Sequence, residues 1–169
     1  MSRFKNLKIW RQRLPHWRAD GEIYYATFRH KRELSEDERR IVLKLLMSPH
    51  GRKWDLMMAC VLPEVTEVLF KVMDSRDGEP YELSDIIEKA KTKAGKLIIK
   101  ASGERFPPFY SESYDRIVRD EVELEERWSE IFDSPVKLEL VEDSEEYEYL
   151  WVSEMPDELN QSETQDDDD

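Results

Sequence analysis

Two apolar segments meeting at Pro63 constrain this chain more than any other feature. Residues 54–62 read WDLMMACVL, a near-continuous apolar run of the kind that forms a strand covered on both faces. Residues 65–73 then alternate. Thr66, Val68, Phe70 and Val72 face one way, and Val65, Glu67, Leu69, Lys71 and Met73 face the other. Two such strands in succession need a third partner and a helical cover. Upstream, the turn signal Asp20-Gly21 precedes a strand over residues 22–29, EIYYATFR. Ser35 and Glu38 form a capping box that opens a helix with Ile41, Val42, Leu45 and Leu46 on one face, closed by Pro49 and Gly51.

Downstream, Ser84 is expected to cap a long helix running to about Lys100. At about 100° per residue, Ile87, Ala90, Ala94, Leu97 and Ile98 fall in one apolar stripe. Phe106-Pro107-Pro108-Phe109 is a stiff connector, and residues 114–118 suit a short strand. Residues 121–133 suit a third helix, with Leu124, Trp128, Ile131 and Phe132 at helical spacing and Pro135 as its stop. There is no internal repeat. The first six elements follow the split βαβ order, so the expected fold is α+β: a ferredoxin-like antiparallel sheet with helices on one face.

The formal charge of −13 over 169 residues hides a strong asymmetry. Residues 1–55 balance to +7, residues 56–120 to −2 and residues 121–169 to −18. Overall acidity therefore does not count against nucleic-acid binding by the first two-thirds of the chain. Residues 153–169 hold eight acids and no base and end in four consecutive aspartates. They read as a disordered acidic tail, either simply solvating or competing with nucleic acid for the basic half. Five Trp, seven Tyr and six Phe argue that the rest folds. Cys60, the single cysteine, excludes an internal disulfide and a multi-cysteine zinc site. With no apolar run long enough for a membrane span and no signal-like start, a cytoplasmic protein is expected.

Candidate binding residues follow from charge placement. Lys89, Lys93, Lys96 and Lys100 lie opposite the apolar stripe of the long helix, whereas Lys91 projects at the edge of that stripe. In the basic N-terminal segment, Arg11, Arg13 and Arg18 are interleaved with Trp10 and Trp17. Cations neutralise phosphates and indole rings stack on unpaired bases, so both groups suit single-stranded or structured DNA. A solvated helix face and packed tryptophans explain the same residues without a ligand. His16, His30 and His50 are scattered, and no Gly-rich phosphate loop, Ser-His-Asp spacing or zinc pattern occurs.

Leu14-Pro15-His16-Trp17-Arg18, Gly21 and Tyr24-Tyr25-Ala26-Thr27-Phe28-Arg29 resemble the opening of the REP-associated tyrosine transposases, of the single-tyrosine HUH transposase family. Lys91 stands at the family's helix lysine. Residues 112–120 (ESYDRIVRD), 134–137 (SPVK) and 149–151 (YLW) continue the resemblance in order. It spans residues 13–152, between a basic extension, residues 1–12, and the acidic tail, residues 153–169. It implies a ferredoxin-like sheet, a homodimer, and binding of single-stranded or hairpin DNA.

The resemblance also shows replacements. The family's second long strand carries Pro-Asn-His-x-His, whose two histidines hold a divalent metal that polarises the scissile phosphate. Here Val65 and Glu67 stand at those positions. The family's tyrosine nucleophile lies five residues before a proline on the last helix, which places Glu130 there. Valine cannot ligate a metal, and a carboxylate cannot form a phosphotyrosine link. Glu64 and Glu67 are weak metal candidates by residue type, and Lys71 is a candidate partner for Glu67. The expected function is a domesticated, inactive transposase-like DNA-binding protein without a cofactor. The alternatives are a protein-interaction module, recruited through the dimer surface or the acidic C-terminal third, and a nicking and joining transposase with a rebuilt site.

Overall fold

Alternation along the first strand divides the protein into two layers, one on each side of a sheet. The structure is a computed structural model, and it describes residues 22–153. The N-terminal extension, with Arg11, Arg13, Trp17 and Arg18, and the acidic tail beyond Ser153 lie outside these residues. The elements are β1 (Ile23–Arg29), α1 (Glu36–Met47), β2 (Trp54–Val61), β3 (Val65–Val72), α2 (Leu83–Ser102), β4 (Tyr114–Ile117), α3 (Glu121–Lys137), a 3-10 turn (Ser144–Glu146) and β5 (Leu150–Val152). They build a five-stranded antiparallel sheet in the order β4-β1-β3-β2-β5. The first four strands are thus arranged as the split βαβ order requires.

Tyr24, Phe28 and Phe70 point to the α1/α2 side. Phe70 stacks on Tyr24 at 5.8 Å and packs against Trp54 at 4.8 Å. The Trp54 indole N–H donates to the Leu46 carbonyl at 3.1 Å, which ties the end of α1 to the start of β2. Tyr25, Glu67 and Leu69 point the other way, beneath α3, whose Leu124, Trp128, Ile131 and Phe132 are buried. The expectation of helices on one face therefore holds for α1 and α2, while α3 covers the opposite face. That double cover explains why β2 is buried almost throughout. Its outer edge is covered as well: Leu150 and Val152 of β5 pair with Cys60 and Met58. β2 carries a bulge between Leu56 and Met58. Sequence periodicity gave no sign of β5, because three residues are too few to show alternation.

The capping box forms as expected. The Glu38 N–H donates to the Ser35 hydroxyl at 3.3 Å, and the Ser35 N–H donates to the Glu38 carboxylate at 2.9 Å. Three details differ from the sequence expectation. The N-cap of α2 is Glu82, not Ser84, which falls inside the first turn. Leu97 is half exposed, and the inward face of α2 instead uses Ile86, Gly95 and the stem of Lys91. Pro135 does not stop α3, which continues to Lys137. A proline so near a C-terminus removes little of the ladder, and the Ser134 hydroxyl donates to the Glu130 carbonyl at 2.6 Å just before it.

Among the described residues, no helix is long and apolar enough to cross a membrane.

Candidate nucleic-acid interface

The lysine ridge emerges as the helical arithmetic predicts. Lys89, Lys93, Lys96 and Lys100 are all exposed on the outer side of α2, spaced four, three and four residues apart so that they follow one face. The helix ends at Gly103, whose φ of 76° would strain a side-chain-bearing residue, and its N–H donates to the Ile99 carbonyl at 2.9 Å.

Lys91 does not belong to that ridge. Two residues from Lys89 it has turned inward, and it is 5% exposed. Its ammonium donates to the Tyr110 carbonyl at 2.7 Å and to the Ser113 hydroxyl at 3.3 Å. It also pairs with Glu88 at 3.3 Å and lies 5.5 Å from the centre of the Phe28 ring. A buried ammonium needs its donors satisfied, and the loop after the Pro-Pro connector supplies the acceptors. Lys91 is thereby a loop anchor rather than a surface cation.

That loop forms one wall of a groove of about 800 Å³ at the C-terminal end of β1, lined among others by Arg29, Lys31, Glu64, Tyr110, Glu112 and Tyr114. Tyr110 and Tyr114 are half exposed, and the Lys31 ammonium sits 5.8 Å from the Tyr110 ring centre. Cations beside accessible rings are the chemistry that holds phosphates and unstacked bases. Sequence reading missed this groove because its walls are some 80 residues apart in the chain, roughly the separation from Arg29 to Tyr110. Glu64, a weak metal candidate, lies at its rim. His30 is no ligand there: its ring donates to the Pro63 carbonyl and accepts from the Thr66 hydroxyl, both at 2.8 Å. Burial pushes its pKa down to about 4, which keeps it neutral.

The positions that the sequence resemblance singles out, Val65, Glu67 and Glu130, lie on the other face. Glu67 is half-buried under α3, with a carboxylate oxygen 3.3 Å from the Ser134 hydroxyl. Tyr25, its neighbour on β1, is close enough for the two groups to act on each other's ionisation. Burial, reinforced by Glu130, raises the Glu67 carboxyl above its ordinary range, and burial with Glu67 raises Tyr25 to about 12. Glu130 pairs with Arg127 at 3.3 Å, and the Arg127 guanidinium lies 4.7 Å from the Tyr25 ring centre. The fold thus brings Glu67 and Glu130 into one neighbourhood, together with Tyr25, Arg127 and Ser134. Val65 contributes hydrocarbon. Lys71 does not serve Glu67: four residues along a strand is about 13 Å, and Lys71 stands opposite Asp55, on which its charge acts. Among the described residues, no group of three or more His, Cys, Asp or Glu side chains converges as a metal site requires.

No protein-family model and no curated protein matches the chain. Among solved structures, the chain is similar to one described as a REP-associated tyrosine transposase bound to a REP hairpin, with 15% identity and a TM-score of 0.58 over 77% of this chain and 76% of that one. It is also similar to a putative transposase from Deinococcus radiodurans R1, with 11% identity and a TM-score of 0.44 over 63% of this chain and 86% of that one. At the level of architecture, the resemblance read from the sequence holds: the chain has a transposase-like α+β fold, shared with a REP-associated tyrosine transposase.

Proposed function

We propose that this protein is a transposase-like DNA-binding protein that no longer cuts or joins strands, and that it holds single-stranded or hairpin DNA. The carrying observation is the ridge of Lys89, Lys93, Lys96 and Lys100, exposed along one face of α2. A similarly folded protein is described as bound to a REP hairpin, which supports a hairpin nucleic acid as the ligand class. The acidic residues Glu121, Glu125 and Glu126 are exposed on α3, on the opposite side of the sheet from α2, so they do not oppose a strand lying on the ridge. The loss of chemistry follows from residue type: Val65, Glu67 and Glu130 offer neither imidazole ligands nor a phenolic nucleophile.

Fluorescence anisotropy with hairpin and single-stranded DNAs at two salt concentrations tests the reading. Affinity should fall steeply with salt, and K96E/K100E should weaken binding roughly tenfold or more while lowering the salt slope by about two. Salt-independent binding, or an unchanged double variant, overturns it.

A second reading is favoured by the outer face of α3, where Val122 is 65% exposed among the acids. That face suits a basic protein partner, and absence of DNA binding by the full-length chain would shift the weight to it. Cleavage of a hairpin with Mg²⁺ or Mn²⁺ and covalent attachment of the protein to a DNA end would instead establish a rebuilt active site.

A further inference from the structure

Between the turn after α1 and the first half of α2 lies a cavity of about 140 Å³ whose lining includes Arg52, Lys53, Lys89 and Lys93. Its floor is apolar, from Leu45, Pro49, Ile86 and Ala90, and Ser48 adds a hydroxyl. We propose that this cradle binds a phosphate group carrying two negative charges.

The backbone holds the cations in place before any ligand arrives. Gly51, at a φ of 80°, turns the chain. The Arg52 and Lys53 N–H groups both donate to the Pro49 carbonyl, at 3.0 and 2.9 Å, and the Lys53 carbonyl accepts from the Met73 N–H at 2.9 Å. The Arg52 guanidinium donates to the Ser48 carbonyl at 2.9 Å. The Lys53 ammonium lies 6.0 Å from the Tyr81 ring centre. Lys89 and Lys93 are one helical turn apart on α2 and point to the same opening.

None of the four cations makes an ion pair among the described residues. Lys53, Lys89, Lys93 and Arg52 line the same cavity, and the like charge of Lys89 first, then of Lys93 and Arg52, holds the Lys53 ammonium below the usual lysine range. Four like charges gathered on a fixed turn and a helix repel one another, and a compact dianion removes that repulsion while accepting several charge-assisted hydrogen bonds. An internal phosphodiester carries one charge. A terminal phosphate on a DNA strand, or the phosphate of a small compound, carries close to two at neutral pH. The inference deepens the DNA-binding proposal only in the first of these sources.

The test uses the full chain, with inorganic pyrophosphate and with hairpin DNA bearing either a 5′-phosphate or a 5′-hydroxyl. Calorimetry should show saturable pyrophosphate binding that falls about tenfold or more in K53Q/K89Q and is retained in K96Q/K100Q. Because the substitutions relieve repulsion, K53Q/K89Q should remain folded, which circular dichroism checks. Preference for the 5′-phosphorylated hairpin, lost in K53Q/K89Q, identifies a DNA end as the source. Equal affinity for both hairpins alongside pyrophosphate binding identifies a small phosphate compound. Pyrophosphate binding without any hairpin binding leaves the cradle standing and sinks the DNA reading. Hairpin binding without pyrophosphate binding and without 5′ preference overturns the cradle, as does equal loss in both double variants.

Discussion

The ammonium of Lys91 and the main-chain carbonyl of Tyr110 meet at 2.7 Å, joining the middle of α2 to the loop that walls the β1 groove. The helix most exposed to solvent thereby also sets the shape of the neighbouring groove. Replacing Lys91 by methionine keeps the stem but strands the loop carbonyls, which should cost about 2 kcal/mol. Urea unfolding measures that loss. Hydrogen exchange across residues 110–113 should rise in the same variant, and unchanged exchange there would show that the loop does not depend on the bond.

Gly95 marks a second contact between the same helix and the connector. A Cβ built there would lie 2.8 Å from Cβ of Pro107, closer than carbon atoms pack, and the proline ring cannot swing aside. Gly95→Ala should therefore destabilise the protein by about 1–3 kcal/mol, although alanine is the better helix former. A thermal melt that rises instead of falling would show that the connector yields.

Acid sensitivity has two separate sources. His30 is held neutral down to about pH 4, whereas the unfolded chain takes up the proton near its ordinary value. Stability is therefore full above about pH 6.5 and is lost as pH falls from there toward 4. Asparagine at position 30 should flatten unfolding free energy over that window. A slope equal to that of the parent would assign the effect elsewhere.

Glu38 acts in a lower window. The Arg32 guanidinium, hydrogen-bonded to it at 2.7 and 2.6 Å and also bonded to Glu104, holds its carboxyl down to about 2. The stabilisation is complete above the ordinary carboxylate value and disappears as pH falls through about 2. Glu38→Gln should remove on the order of 2 kcal/mol near neutral pH and abolish this lower acid limb. Denaturant titrations at pH 6, 4 and about 2.5 would separate it from the His30 effect.

Glu67 works in the opposite direction. Burial raises its carboxyl, so its ionisation above the ordinary value costs the folded state more than the unfolded one. Glu67→Gln, which keeps the side-chain shape and an oxygen facing Ser134, should be neutral or stabilising at pH 7, and DNA affinity should not change. A loss of hairpin cleavage in this variant would instead mark the carboxylate as part of a rebuilt site.

What could be read in the chain, and what could not, follows distance along it. The capping box at Ser35, the apolar run before Pro63 and the lysine ridge of α2 are local patterns, and each sits where its spacing put it. The inward turn of Lys91 was visible as an angular misfit, but its acceptors come from a loop some 20 residues later. Arg52 and Lys53 show no connection to Lys89 until α1 and α2 pack side by side. The Tyr25–Glu67–Ser134 cluster draws on three elements and no local pattern. The placement of α3 on the far face was hidden for the same reason: its amphipathic stripe says that it packs, not which side of the sheet receives it.

The pairing of Leu150 and Val152 with β2 has a consequence for how the chain is made. β2 is the most apolar strand, and until residues 150–152 have emerged from the ribosome one of its edges has no partner. The N-terminal two-thirds can assemble β1, β2 and β3 and still present a bare hydrogen-bonding edge to any other nascent chain. Ser153, whose N–H donates to the Met57 carbonyl at 2.9 Å beside the bulge, is the last stitch in that seam. Protection of this edge therefore waits for residues 150–153, and a ribosome stalled before Leu150 would leave β2 open on one side and prone to self-association.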